Sequence, residues 1–117
     1  MTTILDESLQ ALFRFNPDPC YLLDHRGVFI EVNDATVEFT GYAREELVGH
    51  AFTPLIDQDD LAQTWRVFDQ VMNGLLQRFD VAIVRKDGER LELAITAVPV
   101  YRDSSIVALV EIGRAHV

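Results

Sequence analysis

The stretch EVNDATVEFTGYAREELVG, residues 31–49, brings together an asparagine and several carboxylates, and carboxylates are residue types of acid–base catalysis. Its adjacent carboxylates, Glu45 and Glu46, lie in a helical pattern. Because consecutive side chains on a helix do not face each other, the two carboxyl groups cannot act on one substrate together. The pattern therefore favours a solvated helix surface over a catalytic pair.

Asp57, Asp59 and Asp60 are the candidate metal ligands. A calcium loop needs further oxygen ligands at fixed offsets and a distal glutamate, and residues 58–64 do not supply that pattern. The histidines of the chain are too far apart for the usual spacing of metal ligands. We therefore predict no metal site, and we interpret the aspartates as the start of a helix, where negative charge is stabilising.

Cys20 and the pair Ser104–Ser105 are the candidate nucleophiles. Cys20 is the only cysteine, so an intrachain disulfide is impossible. No cation stands beside it in sequence to activate the thiol, which favours a buried and inert cysteine. The serines lie in a turn pattern with no histidine nearby. With no convergent polar cluster, the sequence predicts a protein that is not an enzyme.

Leu61, Trp65, Phe68 and Met72 recur at helical spacing and share one face of a predicted helix. An indole on that face either fills the core or forms the wall of a small-molecule cavity, and both interpretations stay open. The inward face of the strands is also open, because both faces are apolar and a shift of one residue exchanges them. For a bound small molecule, the expected lining is Trp65, Phe68 and Met72 from the helix and Ile83, Ile95 and Leu109 from the sheet.

The composition limits the classes of function. The chain has 117 residues, enough for one compact domain, and 49% of them are hydrophobic, enough for a core. The formal net charge of -9 disfavours electrostatic binding to nucleic acid or to an anionic membrane surface. No apolar run approaches the ~20 residues of a membrane span, and the N-terminus does not resemble a signal peptide. We therefore expect a cytoplasmic location and no membrane contact by this segment.

The elements that must position these side chains begin with a helix. Residues 3 to about 14 have an amphipathic pattern with Thr3 as a candidate cap. Two prolines in the stretch 16–19 end it, because proline cannot continue the hydrogen-bond ladder. The apolar stripe of this helix is a candidate dimer face, formed by Leu5, Leu9, Leu12 and Phe13.

A hairpin and two short helices follow. Two β-type runs flank a turn from Asp24 to Gly27, which predicts the hairpin. Asn33 is expected to cap the first short helix, and Gly41 is expected to end it in the left-handed conformation. Gly49 closes the second short helix in this interpretation.

The remainder is predicted as one long helix and three strands. Asp57 is expected to begin the helix, which runs to about Asn73–Gly74, and KDG and RDSS turns separate the strands. The last two strands are apolar on both faces, whereas a sheet wetted on one face alternates polar and apolar residues. Helices can cover one face, and the N-terminal helix or a partner subunit must cover the other. Because parallel βαβ repeats are absent, an antiparallel α+β domain is expected.

In this order and spacing, the motifs resemble a PAS domain of the bacterial sensory type over nearly the whole chain. The family pattern has an Asp-x-x-Gly turn, a strand ending in Asn, a Thr-Gly-Tyr motif, a Glu-Leu-x-Gly step and an acidic helix start. Each motif alone is weakly specific, but together they are specific for the fold. The matching residues are Asp24 and Gly27, Asn33, Ala35, Thr40, Gly41 and Tyr42, Glu46 to Gly49, Asp59 and Asp60, and the hairpin from Arg85 to Glu89.

The resemblance implies a five-stranded antiparallel sheet with short helices on one face, a possible ligand cavity, and an N-terminal amphipathic helix. It divides the chain into that helix (1–15), the sensory domain (16–113) and a tail toward an output domain (114–117). It also implies a homodimer, formed through the N-terminal helix and the outer sheet face, in a signalling protein such as a sensor kinase or a cyclic-dinucleotide enzyme. The alternative is a ligand-free domain with a filled core that serves only dimerisation or docking.

Motifs for several family cofactors are missing. The chain lacks the Asn-Cys motif of covalent flavin binding, a helix cysteine for chromophore attachment, and a histidine in the long helix that could ligate haem. Haem and covalent flavin are therefore disfavoured. No cofactor is the first expectation, and non-covalent flavin or a small metabolite is the alternative. Family members often end in Asp-x-Thr, whereas this chain has Glu111-Ile112-Gly113, which leaves the coupling to a following helix open.

Overall fold

The structure is a computed structural model that describes the backbone of residues 4–115 and the side chains of residues 7–115. Two short 3-10 turns, Thr53–Leu55 and Gln58–Asp60, precede its longest central helix. The helices and strands are, in chain order, α1 (Ile4–Phe15), β1 (Cys20–Asp24), β2 (Phe29–Val32), α2 (Asp34–Thr40), α3 (Arg44–Leu47), α4 (Leu61–Met72), β3 (Gln77–Val84), β4 (Arg90–Arg102) and β5 (Ser105–Ala115).

The five strands form one antiparallel sheet in the order β2-β1-β5-β4-β3. Tight turns join β1 to β2, β3 to β4 and β4 to β5, and the last strand returns to pair with the first at the centre of the sheet. The predicted fold class, an antiparallel α+β domain with five strands, short helices and an N-terminal helix, is therefore confirmed. The central position of β5 places its inward side chains deep in the molecule.

Burial along β4 identifies the inner face of the sheet. Leu93, Ile95 and Ala97 are buried, while Ala94 between them is exposed. Helix α4 contacts β3, β4 and β5 on the inner side, and its Phe68 and Val71 belong to the core. The apolar sequence of β4 left open which of its two faces is inward. The helices that cover one side of the sheet determine this.

Caps and glycines begin and end the short helices as the sequence predicts. The Asn33 side chain accepts a hydrogen bond from the backbone N–H of Thr36, which satisfies one of the unpaired donors at the start of α2. Gly41 follows the helix with φ of 78°, a left-handed conformation that glycine adopts without strain. These two residues explain why α2 spans only seven residues.

The start of the long helix differs from the prediction. Asp57 caps the 3-10 turn Gln58–Asp60 by accepting from the Asp59 N–H at 3.0 Å, and α4 begins only at Leu61. The Asp60 carboxylate accepts from the Ala82 N–H at 2.8 Å, so it fastens this turn to β3. That long-range bond favours the tight turn over a first turn of α-helix.

The buried face of α4 is rotated relative to the predicted one. Thr64, Val67, Phe68 and Val71 are its buried residues. The predicted face was shared by Leu61, Trp65, Phe68 and Met72, of which only Phe68 is buried. Successive residues on a helix lie about 100° apart around its axis, so the observed buried face is displaced from the predicted face by about one residue.

Helix α1 has the predicted amphipathic pattern, but its apolar side chains are not covered. The helix packs against α2, while Leu9 and Leu12 are 54% and 70% exposed. Phe13 is half-buried. The candidate cap Thr3 and the side chain of Leu5 lie outside the described part of the chain. No helix of the described residues is long and apolar enough to cross a membrane.

Candidate functional site

An internal cavity of about 40 Å³ lies between the inner face of the sheet and the helices. Strands β1 to β5 form its floor and helices α2 and α4, with the segment 52–56, form its roof. The walls are mainly apolar, with Phe52, Phe68 and Phe79 among them. The cavity is thus a candidate site for a small molecule enclosed between the sheet and the helices.

Three of the six predicted lining residues meet at this cavity. Phe68 from α4, Ile83 from β3 and Ile95 from β4 line it together. Leu109 is fully buried elsewhere in the core, and Met72 is half-buried against that core. Trp65 and Met72 miss the cavity because of the rotation of α4 described above.

Trp65 belongs instead to an aromatic cluster beside the cavity. Its ring centroid lies 5.0 Å from that of Phe52 and 5.2 Å from that of Phe68. The cluster packs on Gly27, where an added Cβ would come within 2.6 Å of the Phe52 ring. Gly27 also has φ of 79°, so both its space and its conformation require glycine. The tryptophan thus supports a cavity wall through Phe68.

Asn33 holds the start of β1, the start of α2 and the end of α1 together. Its Oδ1 accepts from the Cys20 N–H at 2.9 Å and from the Thr36 hydroxyl at 2.7 Å. Its Nδ2 lies 3.0–3.3 Å from three backbone carbonyl oxygens, those of Phe13, Asn16 and Asp18. All polar atoms of this buried side chain are paired, so it has the contacts of a structural residue.

The other motif residues make local structural contacts. The Asp24 carboxylate accepts from the Arg26 and Val28 N–H groups at 2.8 and 3.1 Å, which orders the hairpin turn. The Tyr42 N–H lies 3.3 Å from the Thr40 hydroxyl oxygen. Gly49 has φ of 85° and donates its N–H to the Phe29 carbonyl at 2.8 Å. In this structure, therefore, these residues form turns and hydrogen bonds that connect neighbouring segments of the chain.

Three threonines line the cavity, but their hydroxyl protons are used inside the protein. Thr36 donates to the Cys20 carbonyl at 3.1 Å or to Asn33. Thr40 donates to the Thr36 carbonyl at 2.8 Å, and Thr64 donates to the Asp60 carbonyl at 2.8 Å. A ligand therefore meets no free hydroxyl donor at these three positions.

Glu111 is the ionisable group that the sequence analysis did not place at the site. It lies on the inner face of β5 opposite Ala97 and Tyr21, is 7% exposed, and lines the cavity. Its carboxyl is hydrogen-bonded to the Tyr21 hydroxyl. A strand-period pattern could have found it, because Glu111 lies two residues from both Leu109 and Gly113 and therefore shares their inward face.

Burial dominates the titration of this pair. Desolvation raises the pKa of Glu111 from 4.5 to about 7, and the hydrogen bond from Tyr21 opposes that rise only in part. The pKa of Tyr21 is raised well above its usual value, first by burial and then by the neighbouring Glu111 charge. No group of three or more histidine, cysteine, aspartate or glutamate side chains in the described part of the chain could hold a metal ion.

Comparisons with known proteins agree with this geometry. A family profile of the PAS fold matches residues 7–114. The structure is similar to the PAS domain of a protein from Colwellia psychrerythraea, with 24% identity and a TM-score of 0.86 over 97% of this chain and 98% of that chain. No curated protein sequence matches this chain at a significant level.

Two further similar structures are a sensor-kinase domain and a LOV protein. A domain of the sensory box sensor histidine kinase/response regulator from Geobacter sulfurreducens has 21% identity and a TM-score of 0.81, with 96% of each chain covered. The LOV protein from Rhodobacter sphaeroides has 18% identity and a TM-score of 0.82, covering 98% of this chain and 68% of that chain. Since the family profile spans nearly all of the sequence, this chain belongs to the PAS fold family.

Proposed function

We propose that this chain is a sensory PAS domain that binds a small molecule in its internal cavity and is not itself an enzyme. The observation that carries the proposal is Glu111, a buried ionisable group at an otherwise apolar cavity. A carboxyl group in such a place is costly unless it is paired, so its presence is typical of a functional site. The alternative, a filled core that serves only docking, gives no reason for that cost.

The size of the cavity limits the ligand. Its volume of about 40 Å³ is far below the roughly 300–1,000 Å³ of common ligand pockets, and a cavity needs about 10–15 Å³ to hold one water molecule. A ligand of two or three heavy atoms fits, whereas a flavin ring system does not. The polar atoms at the cavity also fit a flavin poorly, because the three threonine protons are already used. We therefore do not propose a flavin.

The outer face of the sheet supports a second role, homodimerisation. Ile30 and Ile112 on that side are 44% and 40% exposed, and Leu12 of α1 is 70% exposed. Exposed apolar side chains of this size are enriched at protein interfaces. A second copy of the chain covering the outer face and α1 would remove them from water. The sensed change would then pass through β5, which reaches the cavity, to an output domain of a signalling protein such as a sensor kinase.

Ligand binding is tested by NMR titration of the chain with small molecules of two or three heavy atoms in cationic, neutral and anionic forms. We expect saturable amide shifts centred on the residues around the cavity for at least one class. The control variant is Val81→Phe, which fills the cavity from β3 and should remove those shifts. An absence of saturable shifts with every class would overturn ligand sensing and favour the filled-core alternative.

Dimerisation is tested by native mass spectrometry of the wild type and of Ile112→Glu. We expect a dimer for the wild type and a monomer for the variant, because a charge at the centre of an apolar interface is left unpaired on burial. Leu75→Glu is the matched control, since Leu75 is 54% exposed but lies outside both the sheet and α1. A monomeric wild type would refute the homodimer.

A further inference from the structure

We infer that the cavity selects a small protonated amine, whose ammonium group binds the Glu111 carboxylate while its carbon atoms lie against the apolar wall. This inference rests on the proposed ligand-binding function and specifies the chemical class of the ligand. It follows from the hydrogen-bonding state and the charge of each polar group around the cavity.

The polar groups of the cavity offer an acceptor and not a donor. The hydroxyl protons of Thr36, Thr40 and Thr64 are bound to oxygen atoms of the protein. The Tyr21 hydroxyl is engaged with Glu111. A carboxylate has about four lone-pair positions, and one hydrogen bond from Tyr21 leaves most of them for a ligand. The ligand must therefore bring its own donors, and an ammonium group brings three.

The charge at the cavity has the same implication. Among the described residues that line it, Glu111 carries the only carboxylate and no lysine, arginine or histidine is present. An anionic ligand would meet repulsion without compensation, whereas an ammonium ion would neutralise the buried charge. The formal net charge of -9 also favours the approach of cations to the protein.

A metal ion does not fit the same place. Described side chains provide no cluster of three or more metal-binding groups, and the remaining walls of the cavity are mainly apolar. An organic cation satisfies both parts of the site, because its carbon atoms replace water at the apolar wall and its charged end faces Glu111. With about 40 Å³ available, the amine has two or three heavy atoms.

Ethylammonium chloride is the probe, with ethanol and sodium formate as neutral and anionic molecules of three heavy atoms each. In NMR titrations at pH 8, we expect ethylammonium to bind at least ten times more tightly than ethanol and formate not to bind at the cavity. Glu111→Gln should weaken ethylammonium binding at least ten-fold without affecting any binding of ethanol. Glu92→Gln is the matched control, because Glu92 lies on β4 with an exposed side chain and should leave binding unchanged.

The pH dependence gives an independent readout. Tyr21 from β1 is the titratable side chain that faces Glu111, and the described lining residues of α2, α4, β3 and β4 do not titrate. Because alkylammonium ions keep their proton to about pH 10, Glu111 is the group among the described lining residues and the ligand that changes charge between pH 6 and 8. Affinity for ethylammonium should rise about ten-fold over that range, as follows from a pKa of about 7.

The outcomes separate this inference from the proposed function. Equal binding of ethanol and ethylammonium, or tighter binding of formate, would overturn the amine while leaving small-molecule sensing in place. Ethylammonium binding that Glu111→Gln does not weaken would place the amine elsewhere and also refute the inference. If none of the three probes binds and the broader panel also fails, both the amine and ligand sensing are refuted.

Discussion

Asn33 and Glu111 are buried to similar extents, at 1% and 7% exposure, yet their surroundings are opposite. Asn33 has partners for every polar atom, drawn from α1, α2 and β1 and the segment between α1 and β1. Glu111 has the Tyr21 hydroxyl and otherwise borders an apolar cavity. The two sites share strand β1, because its adjacent residues Cys20 and Tyr21 contact Asn33 and Glu111, respectively.

Asn33 stabilises the fold through its hydrogen bonds, whereas the rest of the fold keeps the Glu111 carboxyl buried at a cost in stability. A fully paired buried amide recovers the cost of leaving water, so removing it should cost stability. A buried carboxyl with one hydrogen bond does not recover that cost, so removing its charge should add stability. Opposite signs for these two substitutions are the sharpest test of the comparison.

The largest effect is expected from Asn33→Ala. The substitution removes the cap of α2 and takes the Asn33 amide donor away from partly buried backbone carbonyls, including that of Asp18. A lost cap costs ~1 kcal/mol and each unpaired buried group about 1–3 kcal/mol, so the free energy of unfolding should fall by about 3 kcal/mol. Urea denaturation measures it.

Asn73→Ala is the matched control for that experiment. The Asn73 side chain is exposed and donates to the Asp69 carbonyl at 2.8 Å near the end of α4. Surface substitutions of this kind change stability by about 0.5 kcal/mol or less. A loss in Asn33→Ala no greater than that in Asn73→Ala would contradict the structural role of the Asn33 network.

A smaller effect of opposite sign is expected from Glu111→Gln. The pKa of Glu111 is about 7 in the folded chain and near 4.5 in the unfolded chain, so the folded state binds more protons between these values. The wild type therefore loses stability as pH rises from 4.5 to 7, and the loss is complete above pH 7. At 1.36 kcal/mol per pKa unit the limit is about 3 kcal/mol, and glutamine should recover about 2 kcal/mol at pH 8.

The comparison of wild type and Glu111→Gln across pH supplies its own control. At pH 4 the carboxyl is protonated in both states, so the two proteins should have nearly equal unfolding free energies. Carboxylates with lowered pKa values, such as Asp57 and Glu46, destabilise both proteins equally in acid and cancel in the difference. A variant that is less stable than the wild type at pH 8 would show that the ionised carboxylate is better paired than this geometry implies.

The fold was predictable because its signals are local. The Asp24–Gly27 turn, the Asn33 cap and the Gly41 stop each act within a few residues, and the structure has all three. The apolar strands predicted a sheet whose two faces both need cover. Short-range rules of capping and turn chemistry were sufficient for this much.

The cavity was only partly predictable because it depends on contacts distant in sequence. The rotation of α4 about its axis depends on the side chains of the sheet against which it packs. The 3-10 turn before α4 depends on the hydrogen bond from the Ala82 N–H to the Asp60 carboxylate. The inward direction of Glu111 follows from pairing of β5 with β1 and β4, which the doubly apolar strands did not fix. Phe68, Ile83 and Ile95 were predicted correctly because each lies on the face of its helix or strand that turns inward.

The smallest effect is expected from Tyr21→Phe, and it tests whether Glu111 has the single partner assigned to it. The hydroxyl lowers the pKa of Glu111, so its removal should raise that pKa further above 7. A hydrogen bond contributes about 1 kcal/mol net, which corresponds to a rise of roughly 0.7 pKa unit. NMR titration of the glutamate side-chain carboxyl carbon measures it.

Two variants decide what that rise means. Tyr42→Phe changes a tyrosine that lies near Lys86 rather than Glu111. Asn33→Ala disrupts the hydrogen-bond network at Cys20, which is next to Tyr21 on β1. Both variants should leave the pKa of Glu111 unchanged. If Tyr21→Phe alone raises it, the two buried sites are independent although they share a strand. If Asn33→Ala raises it as well, the network around Asn33 also fixes the cavity, and the division between a structural and a functional polar group fails.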